Sequence, residues 1–152
     1  MKKVLFVCLG NICRSPAAEA IFAKMVEENG LTGAISCDSS GTSSQMAGTP
    51  ADSRMVAAAK KRGVEINHKS RKTRQSDFAD FDYIIGMDDS NMLNLERIRG
   101  GFEGKAEVLK MAKFIEGRDT HIPDPYYGGA EGFEYVLDLL DLGCANLLNY
   151  LQ

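Results

Sequence analysis

The chain has no tryptophan, only four prolines and two histidines, and no apolar run near the ~20 residues of a membrane span. The last absence excludes a helical membrane protein, and Val4 to Leu9 is too short to be the core of a secretory signal. Four cysteines, at 8, 13, 37 and 144, are too few and too scattered for a disulfide framework in 152 residues. They fit a reducing compartment, so the sequence reads as cytoplasmic. No Cys, His, Asp or Glu group has metal-ligand spacing, and His68 and His121 stand apart, so neither metal nor cofactor is expected. A net charge of -3 gives no general pull toward nucleic acid or an anionic membrane. Oligomeric state leaves no mark, and a monomer is assumed.

What is present is an alternation of short apolar runs with helical patterns, and 152 residues suit one domain, 1–152. Val4 to Val7 reads as a strand buried on both faces. Ser15 as N-cap and Pro16 at the first helical position predict a helix over roughly 15 to 29. A second strand is expected over Ala34 to Ser39, followed by a small-residue loop to Gly48. Thr49 and Pro50 repeat the helix-start signature, and Gly63 ends that helix. A strand over Asp82 to Met87, a helix capped by Asp88, Asp89 or Ser90, a strand over Ala106 to Met111 and a last helix from Phe133 to Leu151 complete the pattern. It predicts an α/β fold with about four parallel strands, which bind ligands at their carboxyl ends.

The stretch with chemical content is Cys8-Leu9-Gly10-Asn11-Ile12-Cys13-Arg14-Ser15-Pro16, set between the first strand and the first helix. Unpaired N–H groups and the positive end of the helix dipole make such a loop an anion site. Gly10 and Asn11 tolerate left-handed backbone. Arg14 offers a planar fork to two oxygens of a tetrahedral anion, and the same field favours the thiolate form of Cys8. A cysteine at a strand end is also common as a small core residue, so the case rests on its neighbours.

These residues resemble the phosphate-binding loop of the low-molecular-weight protein tyrosine phosphatases. The resemblance continues through Asp38-Ser39, His68, Phe81 to Ile85, Met87-Asp88 and Asp124-Pro125-Tyr126-Tyr127-Gly128. It implies a small doubly wound four-stranded parallel sheet with helices on both faces. It also implies cleavage of phosphotyrosine, in proteins or as small aryl phosphates, through a phosphocysteine on Cys8. The N–H groups of residues 9 to 15, from Leu9, Gly10, Asn11, Ile12 and Cys13 onward, and the Arg14 guanidinium would hold the phosphoryl oxygens. Asp124, rigid between Pro123 and Pro125, would protonate the leaving oxygen and then activate water, while Tyr126 and Tyr127 would wall an aromatic cleft. By default an aspartate between prolines is a turn residue. From the family, Asn11 would hold the left-handed turn with Ser39 and His68 bonded around it, and Ser15 would donate to the Cys8 sulfur. Cys13 would close a reversible disulfide with oxidised Cys8. His68 remains open between network member and surface residue.

Rival readings stay in view. A thioredoxin-coupled arsenate reductase shares a similar loop but relays oxidation through further cysteines, and 76–100 contains none. A non-catalytic phosphate-binding module gains nothing from a leaving-group acid such as Asp124. Phosphoarginine phosphatases resemble this loop but carry threonine where Ile12 stands. Animal relatives place an aromatic residue at Gln45, so one cleft wall here is expected to be more polar. Residues 60–74 hold seven basic side chains against Glu65, either a solvated surface or a rim that steers phosphorylated substrates.

Overall fold

The apolar run near the N-terminus becomes the sheet's central strand. In the computed structural model, which describes residues 1–152, β1 (Lys2–Cys8), β2 (Ile35–Gly41), β3 (Tyr83–Gly86) and β4 (Glu107–Lys110) form one parallel sheet in the order β2-β1-β3-β4. Paired on both edges and covered on both faces, β1 has no solvent side, so Val4, Leu5, Phe6 and Val7 are fully buried. Alternation along the strand sorts them. Val4, Phe6 and Cys8 join the large core under α1 (Arg14–Glu28), α2 (Ser53–Lys61) and α5 (Ala130–Leu151), while Leu5 and Val7 join Phe78, Phe81, Ile84 and Leu95 on the other face. That second cluster is closed by α3 (Asp77–Asp80) and α4 (Asp89–Arg99). The expected doubly wound sheet with helices on both faces is therefore the observed one. The order reverses between β2 and β3, which makes the carboxyl end of β1 the switch point where ligands bind in such sheets.

Two helix starts differ from the expectation. α1 begins at Arg14 with Cys13 at the N-cap, so Ser15 is not the cap and Pro16 is not the first helical residue. The Ser15 hydroxyl is engaged by Asn11 and Cys8 instead, and Pro16 still falls in the first turn, where an N–H has no helical partner. α2 begins at Ser53, with Asp52 capping through the Arg54 N–H at 2.8 Å. Thr49 is unavailable because its hydroxyl donates to Met46 O at 2.7 Å. β2 runs two residues past Ser39, carried by the ladder to β1. The α3 turn and a 3-10 turn over Met111–Phe114 had no periodic signal to announce them.

Elsewhere the sequence signals hold. Asp88 caps α4 in a capping box with Asn91, and Gly100 follows the helix with φ 55°. α5 buries its apolar stripe from Phe133 to Leu151. Its Gly143, unfavourable in a helix by about 1 kcal/mol against alanine, has a packing reason: a Cβ there would stand 2.7 Å from Met111 Sδ.

Candidate active site

The loop after β1 shows an asymmetry between its carbonyls and its amides. Its carbonyls point outward into bonds: Cys8 O accepts from Thr42 N, Leu9 O from Ser43 N, Ile12 O from Asp52 N and Cys13 O from Ala17 N, at 2.8 to 3.2 Å. Asn11 O accepts from Ser70 Oγ at 2.7 Å. The amides of residues 9 to 15, by contrast, donate to no acceptor in the protein. Successive N–H groups freed this way, at the start of a helix, form a concave donor surface suited to an oxyanion.

Asn11 makes the turn possible. It is the only non-glycine residue with positive φ, 56°, and it is fully buried. Its Nδ2 donates to Ser15 Oγ at 2.7 Å and Ser39 Oγ at 3.0 Å, and its Oδ1 accepts from Arg71 N at 3.1 Å and faces His68 Nε2 at 2.8 Å. A left-handed asparagine costs little when every polar atom of its side chain is satisfied. The end of β2 lies against the same turn: a Cβ on Gly41 would meet Leu9 O at 2.7 Å and Asn11 N at 3.0 Å. Only a glycine leaves room for the loop there.

Cys8 Sγ, almost fully buried, stands 3.0 Å from Ser15 Oγ. With Asn11 donating to that hydroxyl, its hydrogen is free for Ser40 O at 3.3 Å or for the sulfur. A negative sulfur draws it. Arg14 is fixed from behind, Nη1 donating to Asp88 Oδ2 at 2.6 Å and to Ile122 O at 3.0 Å, while Nη2 lies 3.6 Å from Asp124 Oδ2. Arg14 and Asp124 thus face each other across the cradle. Asp124 Oδ1 accepts the Tyr126 amide at 3.1 Å, an Asx turn that aims the carboxylate.

A cleft of about 300 Å³ opens above the loop. Cys8, Leu9, Gly10, Ile12, Cys13 and Arg14 form its floor, and Asp124, Tyr126 and Tyr127 form one wall. The tyrosine rings meet edge to face at 4.9 Å. Ser43, Gln45 and Met46 line the opposite side, so Gln45 does stand on the cleft as expected, with Met46 supplying an apolar neighbour that sequence reasoning missed. Of the expected supporting residues, Asn11, Ser15, Ser39 and His68 lie in one network behind the floor; His68 is a member of it rather than a surface residue. His121 is apart, near Asp119.

Other contributors also escaped the sequence reading. Arg54 pairs with Asp52 at 2.9 Å, donates to Tyr126 O at 3.0 Å and lies over the Tyr126 ring, so it braces the acid-bearing loop against α2. Glu19 and Asp38 lie against His68, while Arg71 binds Asp38 and Asp77. Part of the basic stretch is therefore internally neutralised: Arg71 as described, and Arg62 by Glu134, Asp138 and Asp141. Burial pushes the thiols of Cys13 and Cys37 up to about 12, and that of Cys144 well above its ordinary value. These three remain thiols at neutral pH.

Residues 3–152 match the family model described as low molecular weight phosphotyrosine protein phosphatase. A Schizosaccharomyces pombe protein of that name is 44% identical over 142 residues, covering 91% of this chain and 90% of its own. A crystal structure of a protein tyrosine phosphatase from Entamoeba histolytica superposes with a TM-score of 0.91 at 46% identity, covering 99% of this chain and 97% of that one. The Drosophila arginine phosphatase superposes with a TM-score of 0.92 at 36% identity, over 99% and 97% of the two chains.

Proposed function

This chain belongs to the low molecular weight phosphotyrosine protein phosphatase family and is a hydrolase, and from that membership we propose that its span 1–152 acts as one phosphatase domain in which Cys8 is the nucleophile. The sulfur attacks phosphorus as a thiolate, the bond to the tyrosyl oxygen breaks, and a phosphocysteine forms. The unpaired amides of residues 9 to 15 and Arg14 Nη2 hold the three phosphoryl oxygens, and the bonds to Asp88 and Ile122 keep the guanidinium from following the substrate out. The arriving dianion takes over Arg14 Nη2 from Asp124. Asp124 gives a proton to the leaving phenolate, then accepts one from the water that attacks the phosphocysteine. Ser15 donates to the sulfur as it leaves.

The observation that carries this reading is the row of amides left without protein acceptors directly beside the Cys8 sulfur. Phosphotyrosine proteins or small aryl phosphates suit the wall of Tyr126 and Tyr127, and Ile12 on the floor supports an aryl ester. A phosphoarginine substrate is the second reading, favoured by the likeness to the Drosophila arginine phosphatase. The chemistry is complete with the chain's own side chains and asks for no metal. Cys13 lines the same floor, and its buried thiol can condense with a Cys8 sulfenic acid, releasing water and leaving a disulfide that a cellular thiol reverses. Four free cysteines are in keeping with a cytoplasmic setting.

The test is to quench turnover of p-nitrophenyl phosphate in metal-free buffer and look for phosphate on Cys8 by mass spectrometry. Label on Cys8, absent in Cys8→Ser together with all activity, is the expected result. Hydrolysis that survives in Cys8→Ser sinks the mechanism. Comparing phosphotyrosine with phosphoarginine decides the substrate, and faster phosphoarginine turnover would install the second reading.

A further inference from the structure

Behind the phosphate loop, three side chains from three parts of the chain turn ligating atoms toward one point. Glu19 comes from α1, Asp38 from β2 and His68 from the segment after α2. His68 Nδ1 lies 3.2 Å from Glu19 Oε1 and 3.9 Å from Asp38 Oδ1, and atoms of all three lie within 4.8 Å of one another. In a tetrahedral zinc site with bonds of about 2.0–2.2 Å, neighbouring ligand atoms stand roughly 3.3–3.6 Å apart. One edge is about that length, a second is a few tenths of an ångström longer, and the third spans no more than 4.8 Å, with Asp38 the most exposed of the three.

The histidine is oriented for the purpose. Asn11 uses Nδ2 to donate to Ser15 and Ser39, so its Oδ1 is an acceptor and His68 Nε2 must carry a hydrogen toward it at 2.8 Å. A ring held by an outer N–H···O bond, with its other nitrogen turned to carboxylates, is the arrangement of a metal-bound histidine and its supporting shell. In the neutral ring Nδ1 carries a lone pair, and facing Glu19 Oε1 at 3.2 Å it needs a proton or a cation between them. Arg71 does not fill the gap. Its guanidinium is occupied by Asp38 Oδ2 at 3.2 Å and by Asp77 at 3.0 Å, which leaves Asp38 Oδ1 facing His68.

We propose that Glu19, Asp38 and His68 form a binding site for a zinc ion, one nitrogen and two carboxylate oxygens with water in the fourth position. One nitrogen among hard oxygens favours zinc over magnesium or calcium, which prefer all-oxygen shells. The site is separate from the substrate cleft but joined to it, because the ring that holds the ion also holds Asn11 Oδ1. Zinc binding displaces the proton shared by Glu19 and His68 to solvent.

The experiment uses the full chain carrying Cys8→Ser, so that the Cys8 sulfur cannot capture the metal. Zinc sulfate is titrated by calorimetry while the histidine ring nitrogens are followed by NMR. Binding of one equivalent, with His68 Nδ1 shifting and Nε2 keeping its proton, is expected. Affinity falls about tenfold or more in Glu19→Gln and in Asp38→Asn. The proposal is overturned by an absence of binding, by unchanged affinity in both variants, or by zinc that shifts His121 and leaves His68 unmoved. The NMR reading is taken with the cluster intact, so a variant that folds poorly does not decide the outcome.

Discussion

The floor of the cleft and its acid-bearing wall are built on opposite plans. The floor, residues 8–15, is buried except at Leu9 and Gly10 and is tied from behind by Ser39, Ser70, Asp52 and His68, with the carbonyls of Cys8, Leu9, Asn11, Ile12 and Cys13 all bonded. The wall, from Asp119 to Gly129, has little regular structure; its ties are Ile122 N to Met87 O, Arg14 to Ile122 O and Asp124, Arg54 to Tyr126 O and Tyr135 to Asp119, and Tyr127 is 93% exposed. On the function proposed above, the half that would match a fixed tetrahedral anion is preorganised, and the half that would meet varied leaving groups is held at a few points.

Each half should therefore fail in its own way when altered. Asp124→Ala should lower kcat by about 10² to 10⁴, more for phenyl phosphate than for p-nitrophenyl phosphate, whose leaving group needs less help from an acid. Steady-state rates on the pair check this, and an equal loss on both would deny Asp124 its role. Asn11→Ala should damage the floor as a body. It strands the partners of two donors and one acceptor, costs about 3 kcal/mol of stability, and raises KM for phosphate esters along with lowering kcat; thermal unfolding and kinetics together read it. A pure kcat effect at unchanged melting temperature would break the contrast between the halves.

Arg54→Ala should act on the wall, reducing kcat by about tenfold or less with Ki for inorganic phosphate unchanged, because it frees Tyr126 without touching the cradle. The smallest effect concerns pH. Burial raises Glu19 from 4.5 to about 7 in the folded chain, so the fold is favoured while that carboxyl is protonated and loses stability as pH rises from about 4.5 through 7. Glu19→Gln should remove that slope, and its melting temperature relative to the parent should rise between pH 5 and pH 8 in metal-free buffer. A difference independent of pH would show that the buried carboxyl is not the cause.

The floor was legible in the sequence because it is contiguous: cysteine, turn residues, arginine and helix start follow one another within nine positions. The four strands and the major helices were legible for a related reason, since apolar periodicity is a local signal. What was hidden is what arrives from far along the chain. Asp88 reads as a helix cap and is one, and nothing in the sequence says that its other oxygen anchors Arg14. Arg54 looks like an ordinary surface cation, and Glu19 like the polar face of an amphipathic helix. The two misplaced helix starts have a different origin: the hydroxyls of Ser15 and Thr49 have cap-like sequence context, but neighbours in the chain claim them, Cys8 and Asn11 in one case and Met46 O in the other.

The bare backbone at Gly41 gives this architecture a point of acute sensitivity. Strand and loop are separated there by one backbone's width, so even a methyl group acts as a wedge driven into the seam of a mould. The casting it spoils is the anion cradle rather than the sheet. One added carbon atom there would deform the cradle while every residue of the loop itself stayed in place.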